Sequence, residues 1–280
     1  MNTTMTDALL AAVESGLTMY DLAQPLEQGM PCSPNHPGFR MALQRRHGDM
    51  VRPDGSSAAN ELIVTGGHVG THIDALCHAS FKGRLHGGHD AAAAQMGASF
   101  SVHGVDTIEP MVCRGVLLDA ATARDARVLP GGYGVTEEDL EAAVSRSGHR
   151  PRRGDVALIR TGWARHWADP TTYLGAETGV PGVTESGGRW LADHGVRATG
   201  ADTTAFEQVL PGKGHLVMPV HRLLLVEQGI HIIELLRLEE LAAAGVAEFT
   251  FVLTPLKIVG GTGSPVRPLA LITAARKNIR

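Results

Sequence analysis

The stretch Gly67-His68-Val69-Gly70-Thr71-His72-Ile73-Asp74-Ala75-Leu76-Cys77-His78 crowds three histidines and an aspartate into little more than one turn's worth of chain reversal. Neutral imidazoles and a carboxylate are the ligands of borderline divalent ions such as zinc, manganese and iron, each bound at about 2.0 to 2.2 Å. Ligands of one ion must therefore converge. In a straight strand His68 and Asp74 would stand about 20 Å apart at roughly 3.3 Å per residue. In a helix His68 and His72 would share a face while Asp74 pointed to the other side. Both regular structures fail. What remains is a strand ending near His68, built from apolar and β-branched Leu62-Ile63-Val64-Thr65, followed by a tight bend at Gly70-Thr71. Glycine admits the backbone angles such a bend needs. The bend brings His68, His72 and Asp74 to one point and leaves His78 beside them as a proton carrier.

Fourteen of 280 residues are histidine, so some clustering arises by chance. Against chance, these titratable groups follow directly on an apolar run, where burying them unpaired is costly. The helical His-x-x-x-His metalloprotease pattern also needs a glutamate after its first histidine, and Val69 stands there. A second cluster lies downstream. Pro219, the run Leu223-Leu224-Leu225-Val226 and the stop at Gly229 predict a helix of roughly ten residues with His221 in its first turn. The following Ile230-His231-Ile232-Ile233-Glu234-Leu235 reads as a strand, and a glutamate inside so apolar a run needs a cation. His215 and His231 compete with His221 as partners of that glutamate.

The pattern His68-x-Gly70-Thr71-His72-x-Asp74-x-x-x-His78 resembles the signature of the cyclase-like metal hydrolases, a family that includes bacterial kynurenine formamidase and isatin hydrolase. The resemblance runs over residues 19 to 275. It implies that His68, His72 and Asp74 bind a divalent metal, zinc or manganese, with Asp74 able to bridge to a second ion. It further implies that His221 and Glu234 complete the ligand set and that His78 is the catalytic acid/base. Leu76 stands where formamidases usually carry proline, and this chain is longer than theirs, so the resemblance is nearer the isatin hydrolase side. By the same resemblance the proline-rich loop from Pro25 to Pro37 lies near the site with His36 facing substrate. Gly200-Ala201-Asp202-Thr203 is similar to a supporting motif in which Asp202 orients a ligand histidine. A swivelling β/β/α architecture and a homodimer or homotetramer with the site near a subunit contact are implied as well.

The rest of the chain alternates strand and helix. Arg114 to Asp119 and Asp155 to Trp163 read as buried strands. Thr136-Glu137-Glu138-Asp139 opens one amphipathic helix, and Thr184 caps another that Gly195 ends. Val196 to Thr203 returns as a strand, and Glu248 to Ile258 pairs with Arg267 to Thr273. The order predicts a mixed α/β fold with a mixed β-sheet, in one domain over 1–280. A peripheral helix is expected over 5–15 within residues 1–18. At 43% hydrophobic residues the chain can bury a large core without disulfides. Its net charge of −4 gives no basic footprint for nucleic acid or anionic lipid. Cys32, Cys77 and Cys113 form no disulfide framework and fit a reducing cytoplasm. No apolar run is long enough to span a membrane, and the first 20 residues, with Asp7 and Glu14 and no basic region before an apolar core, predict no secretory leader.

The function expected is metal-dependent hydrolysis of an amide or lactam on an aromatic compound, a small-molecule substrate, with His78 moving the proton. A lactonase or cyclase acting on a non-aromatic ring uses the same chemistry. A non-haem iron oxygenase is less well matched, because His221 and Glu234 crowd the positions oxygen requires. A non-catalytic structural metal site would typically be closed and cysteine-rich, and this one carries a spare proton carrier. No Gly-x-Ser-x-Gly elbow supports a serine hydrolase.

Overall fold

A computed structural model describes residues 10–273 of the chain. Among these residues one mixed sheet is built from β1 (Leu17–Asp21), β2 (His72–Asp74), β3 (Met111–Asp119), β4 (Val156–Arg160), β5 (Ala198–Ala201), β6 (His231–Glu234), β7 (Glu248–Leu253), β8 (Gly263–Pro265) and β9 (Leu269–Thr273). Their spatial order is β1-β9-β7-β3-β4-β5-β6-β2-β8. The four central strands β3 to β6 run parallel. Every strand outside them joins antiparallel.

The centre is covered on both faces, which is why β4 is apolar at four successive positions and buried throughout. Alternate residues divide between two cores. Val156 and Leu158 face one side with Leu117, Ile73 and Ile233. Ala157 and Ile159 face the other with Leu118, Ile232 and the apolar stripes of two helices, α1 (Glu137–Ser147) and α2 (Glu185–Asp193). Thr136 and Asp139 cap α1 reciprocally, Gly148 ends it in the left-handed conformation, and the Thr184 hydroxyl accepts from Gly187 N to start α2. Both helices fall where the sequence predicts them. The ten residues from Pro219 are also helical, as Pro219–His221 continued by a wider π-helical stretch, Arg222–Gln228, that Gly229 closes with φ +65°. The mixed α/β class and mixed sheet agree with the sequence expectation.

Two expectations need correction. The Glu248 and Arg267 segments do pair, as β7 with β9, but the glycine-rich link between them contributes a strand of its own, β8, laid against β2. The run Leu62-Ile63-Val64 is not a buried lead into the site. It belongs to Asn60–Val64, which pairs only with Arg40–Arg45 in a two-stranded ribbon outside the sheet, and every residue of both strands is exposed. The predicted N-terminal helix lies partly outside the described residues. Residues 10–14 are helical, and Gly16 ends them with φ +92°.

Candidate metal centre

The three residues of β2 carry the centre. Strand alternation turns His72 and Asp74 to one face and sends Ile73 into the core behind them. Pairing with β6 sets Glu234 opposite His72 and Ile233 opposite Ile73, so Glu234 arrives on the same face at the carboxyl end of its strand. His221 descends on these groups from the first turn of the Pro219 helix, and the π-helical widening directly behind it is a distortion often found at functional sites.

The bend before β2 is real and depends on glycine. Gly70 has φ +65°, and a Cβ there would lie 2.4 Å from Leu26 Cδ2. Beyond the bend the His72 ring donates from Nδ1 to the Gly70 carbonyl at 2.8 Å, which leaves Nε2 facing inward. His68 returns to the same point. Its Nδ1 is 2.8 Å from Asp74 Oδ1 and its Nε2 2.9 Å from Thr262 Oγ1. A side chain at Gly263 would lie 2.5 Å from the His68 ring, so β8 must carry glycine there.

The carboxylates interleave with the imidazoles. His72 Nε2 is 3.6 Å from Asp74 Oδ1 and 3.4 Å from Glu234 Oε2. His221 Nε2 is 3.6 Å from Asp74 Oδ2 and 3.4 Å from Glu234 Oε1. Two triplets of ligand-capable atoms lie within 4.8 Å of one another, His68 with Asp74 and His78, and Asp74 with His221 and Glu234. Asp74 is common to both. The six residues singled out in the sequence thus meet in one place. Two oxygens, Asp74 Oδ2 and Glu234 Oε1, are buried with no hydrogen-bond partner among the described residues. Orphaned carboxylate oxygens at that depth call for a cation.

The electrostatics express the same demand. Burial, with Asp74 nearby, raises the Glu234 carboxyl to about 7. Burial alone would also raise Asp74, but His78, His68 and His72 around it hold it well below the usual carboxylate range. Burial lowers His72 to about 4. Burial lowers His78 to about 3, with His68, His221 and His72 adding to it against the pull of Asp74, so its imidazole is neutral at neutral pH. His221 behaves oppositely. Burial opposes its charge, yet the hydrogen bond to Glu207 and the neighbouring Glu234 carboxylate raise it to about 10. The His78 ring lies 4.0 Å from that of His68 and 6.1 Å from that of His221, centroid to centroid.

A cavity opens onto this cluster, with Cys32, His36, His215, Met218 and Leu235 among its walls. His36 lines it, stacked on His68 at 5.3 Å. His215 reaches the cavity wall but joins neither ligand triplet. His231 is turned away, its Nδ1 donating to the Asp74 carbonyl at 2.9 Å. His86 anchors to Val226 O and His103 to the His86 carbonyl, a packing arrangement beside the helix end.

Asp202 does not orient a ligand histidine. Its carboxylate accepts from Thr161 N, Thr161 Oγ1 and Gly162 N at 2.9, 2.6 and 2.8 Å, closing the turn where Gly162 takes φ +80° after β4. Those amide groups have left the sheet ladder, and Asp202 sits directly beneath them. The residue that does touch a histidine of the cluster is Glu207, whose Oε1 is 2.5 Å from His221 Nδ1. Sequence reasoning passed over it. Nothing local marked it, since Glu207 stands among Thr203, Thr204 and Gln208 and its partner His221 is 14 residues away.

The family model described as "Putative cyclase" matches residues 20–208. An isatin hydrolase of Roseibium aggregatum is 27% identical over 229 residues, covering 79% of this chain and 78% of that protein. Among solved structures, one described as a novel cyclase superposes with a TM-score of 0.82 at 27% identity over 94% of this chain and 92% of its own. Isatin hydrolase A from Ralstonia solanacearum superposes with a TM-score of 0.73 at 23% identity, covering 97% and 98% of the two chains.

Proposed function

The chain belongs to the cyclase family, and on that premise we propose that it is a metal-dependent hydrolase that opens or cleaves an amide or lactam on an aromatic compound of the isatin or N-formylkynurenine type. The observation that carries this reading is the pair of orphaned oxygens, Asp74 Oδ2 and Glu234 Oε1, both directed at His221 Nε2. His68, His72, Asp74, His221 and Glu234 are the proposed ligands. Imidazoles with carboxylates suit zinc or manganese, and Asp74, shared by both triplets, allows one ion or two.

Such an ion contributes Lewis acidity towards a carbonyl oxygen and towards water. The chain's own part is proton transfer and placement. His78, neutral and beside the cluster, takes a proton from the attacking water and returns it to the leaving nitrogen. Met218 and Leu235 offer the cavity apolar walls against which an aromatic ring would pack, and His36 offers a polar one. The likeness to an isatin hydrolase at 27% identity supports the lactam preference.

In this reading residues 1–280 form one catalytic domain, supported by a sheet whose strands come from Leu17 to Thr273. The exposed ribbon supports a homodimer or homotetramer, because an isolated two-stranded hairpin is marginal in water. The three cysteines are free, which supports a reducing cytoplasm. No helix among the described residues is long and apolar enough to cross a membrane.

The test joins metal analysis to a substrate panel. Protein purified without a histidine tag is expected to retain zinc or manganese by plasma mass spectrometry and to hydrolyse isatin or N-formylkynurenine faster than a simple lactone. Replacing His78 with alanine should lower turnover about 10²- to 10⁴-fold with metal retained. Wild-type turnover in that variant would remove His78 from its role. Failure to bind any added divalent metal would remove the reading as a whole.

A further inference from the structure

We propose that Glu207 is a positioning residue that locks the His221 ring so that Nε2, and not Nδ1, is presented to the metal. The proposal rests on the ligand set given above for His221 and concerns how that ligand is held.

Glu207 is buried and its carboxylate is used on both sides. Oε2 accepts the Val220 N–H at 3.1 Å, and Oε1 accepts the His221 N–H at 3.1 Å together with the ring Nδ1–H at 2.5 Å. One side chain therefore grips the first turn of the Pro219 helix by its free amide groups and the ring by its outer nitrogen. Helix first-turn amides have no partner within the helix, and a carboxylate is the acceptor they favour. The grip fixes two things at once. The backbone bonds set where the helix begins, and the ring bond sets which way the imidazole turns. An Nδ1–H held by a carboxylate leaves the Nε2 lone pair free and makes it a stronger donor.

The approach of Glu207 is itself built with care. Phe206, wholly buried, takes φ +56°, a conformation few side chains adopt, in a three-residue turn closed by the Glu207 amide on the Ala205 carbonyl. On the far side Val183 N donates to Phe206 O and Gln208 N to Val183 O, pinning the turn to the strand Gly182–Val183. A Cβ at Gly182 would lie 2.3 Å from the Glu207 carbonyl carbon. The strained Phe206 turn and the need for glycine at 182 are features of the backbone alone, and both serve to bring Glu207 under His221. Met218 at the cap position offers the first turn no side-chain bond, so the same carboxylate that caps the turn also holds the His221 ring.

The test compares wild type with Glu207→Gln, which keeps shape and loses charge. Dissociation constants for Zn²⁺ and Mn²⁺ are measured by competition with a chromophoric chelator, alongside thermal unfolding of both metal-free proteins. Metal affinity is expected to fall about 10- to 100-fold in the variant. ¹⁵N-histidine spectra of the wild-type protein give an independent reading that needs no variant. They should show the His221 Nδ1 proton far downfield and slow to exchange, with Nε2 shifting when Zn²⁺ is added. A Glu207→Gln protein that melts earlier yet binds metal as tightly as wild type would overturn the proposal, leaving Glu207 a helix cap only. So would a wild-type spectrum in which Nδ1 is the nitrogen that shifts with metal. If wild type itself binds no divalent ion, the ligand assignment has failed and not merely the role of Glu207.

Discussion

Asn60–Val64 and His72–Asp74 are short strands separated by seven residues, and they meet opposite fates. In the first, Leu62, Ile63 and Val64 are all exposed; in the second, His72 and Asp74 are buried with Ile73. The apolar strand is outside and the charged strand inside. Ile63 is 52% exposed, and Ile73 is 0% exposed. What separates them is the company each strand finds. β2 is paired on both edges, by β6 and β8, backs onto a core through Ile73, and faces His68 and His221, which compensate Asp74. Among the described residues Asn60–Val64 has one strand neighbour, Arg40–Arg45, and both of its faces are exposed. Burial here follows from pairing and compensation rather than from the hydrophobicity of five residues.

The hardest way to break the contrast is Asp74→Ala. The carboxylate is the one group shared by both ligand triplets, and its loss leaves His68, His72 and a charged His221 facing one another. Removing one partner of a buried ionic cluster costs about 3 to 5 kcal/mol, and with the metal gone turnover should fall by ~10³-fold or more. Denaturant unfolding and bound metal per chain are the measurements. A variant as stable as wild type with its metal intact would mean Asp74 is not the hub.

Behind it, Ile73→Ala tests whether the core backing holds β2 in place. A fully buried isoleucine truncated to alanine costs about 2 to 5 kcal/mol, read from the urea midpoint. A smaller effect is expected from Gly263→Ala on β8. Its Cβ would lie 2.5 Å from the His68 ring, so His68 must shift or the strand must give, at about 1 to 3 kcal/mol. Its signature should be weaker metal binding, measured by chelator competition, and not merely a lower melting temperature. Unchanged affinity would show that His68 is free to move without consequence.

The parts of this molecule that could be read from sequence are those whose physics is local. Gly70, Thr136, Thr184 and Gly229 act within a few residues, through backbone angles and caps, and the bend and helices they announce are where they were expected. Glu234 was legible because a carboxylate in an apolar strand has few explanations. The misreadings are non-local. Whether Leu62 to Val64 are covered depends on which strand lies beside them. Asp202 and Glu207 are both acidic residues near the site, and choosing between them requires knowing that Thr161 and Gly162 stand over one and His221 over the other. Those neighbours lie 41, 40 and 14 residues away in the chain. No spacing rule reaches so far.

The smallest effect sharpens the comparison most. Ile63→Ala should change the stability of the isolated chain by no more than about 0.5 kcal/mol, the range of surface substitutions, where the same substitution ten positions on at Ile73 costs several times that. Ile63 stands opposite Met41 in the ribbon register, and both are exposed. If a second copy of the chain covers this face, as proposed above, Ile63→Lys should leave the folded protomer intact while shifting the assembly towards monomer. Sedimentation at several protein concentrations measures that shift, and unfolding under conditions where both proteins are monomeric isolates the protomer. Loss of assembly at unchanged protomer stability would place the apolar content of this strand in contacts between chains. Equal assembly in wild type and Ile63→Lys would show that this face is not where chains meet, and the apolar ribbon would then be a surface this protomer tolerates because its fold, centred on β2, does not depend on it.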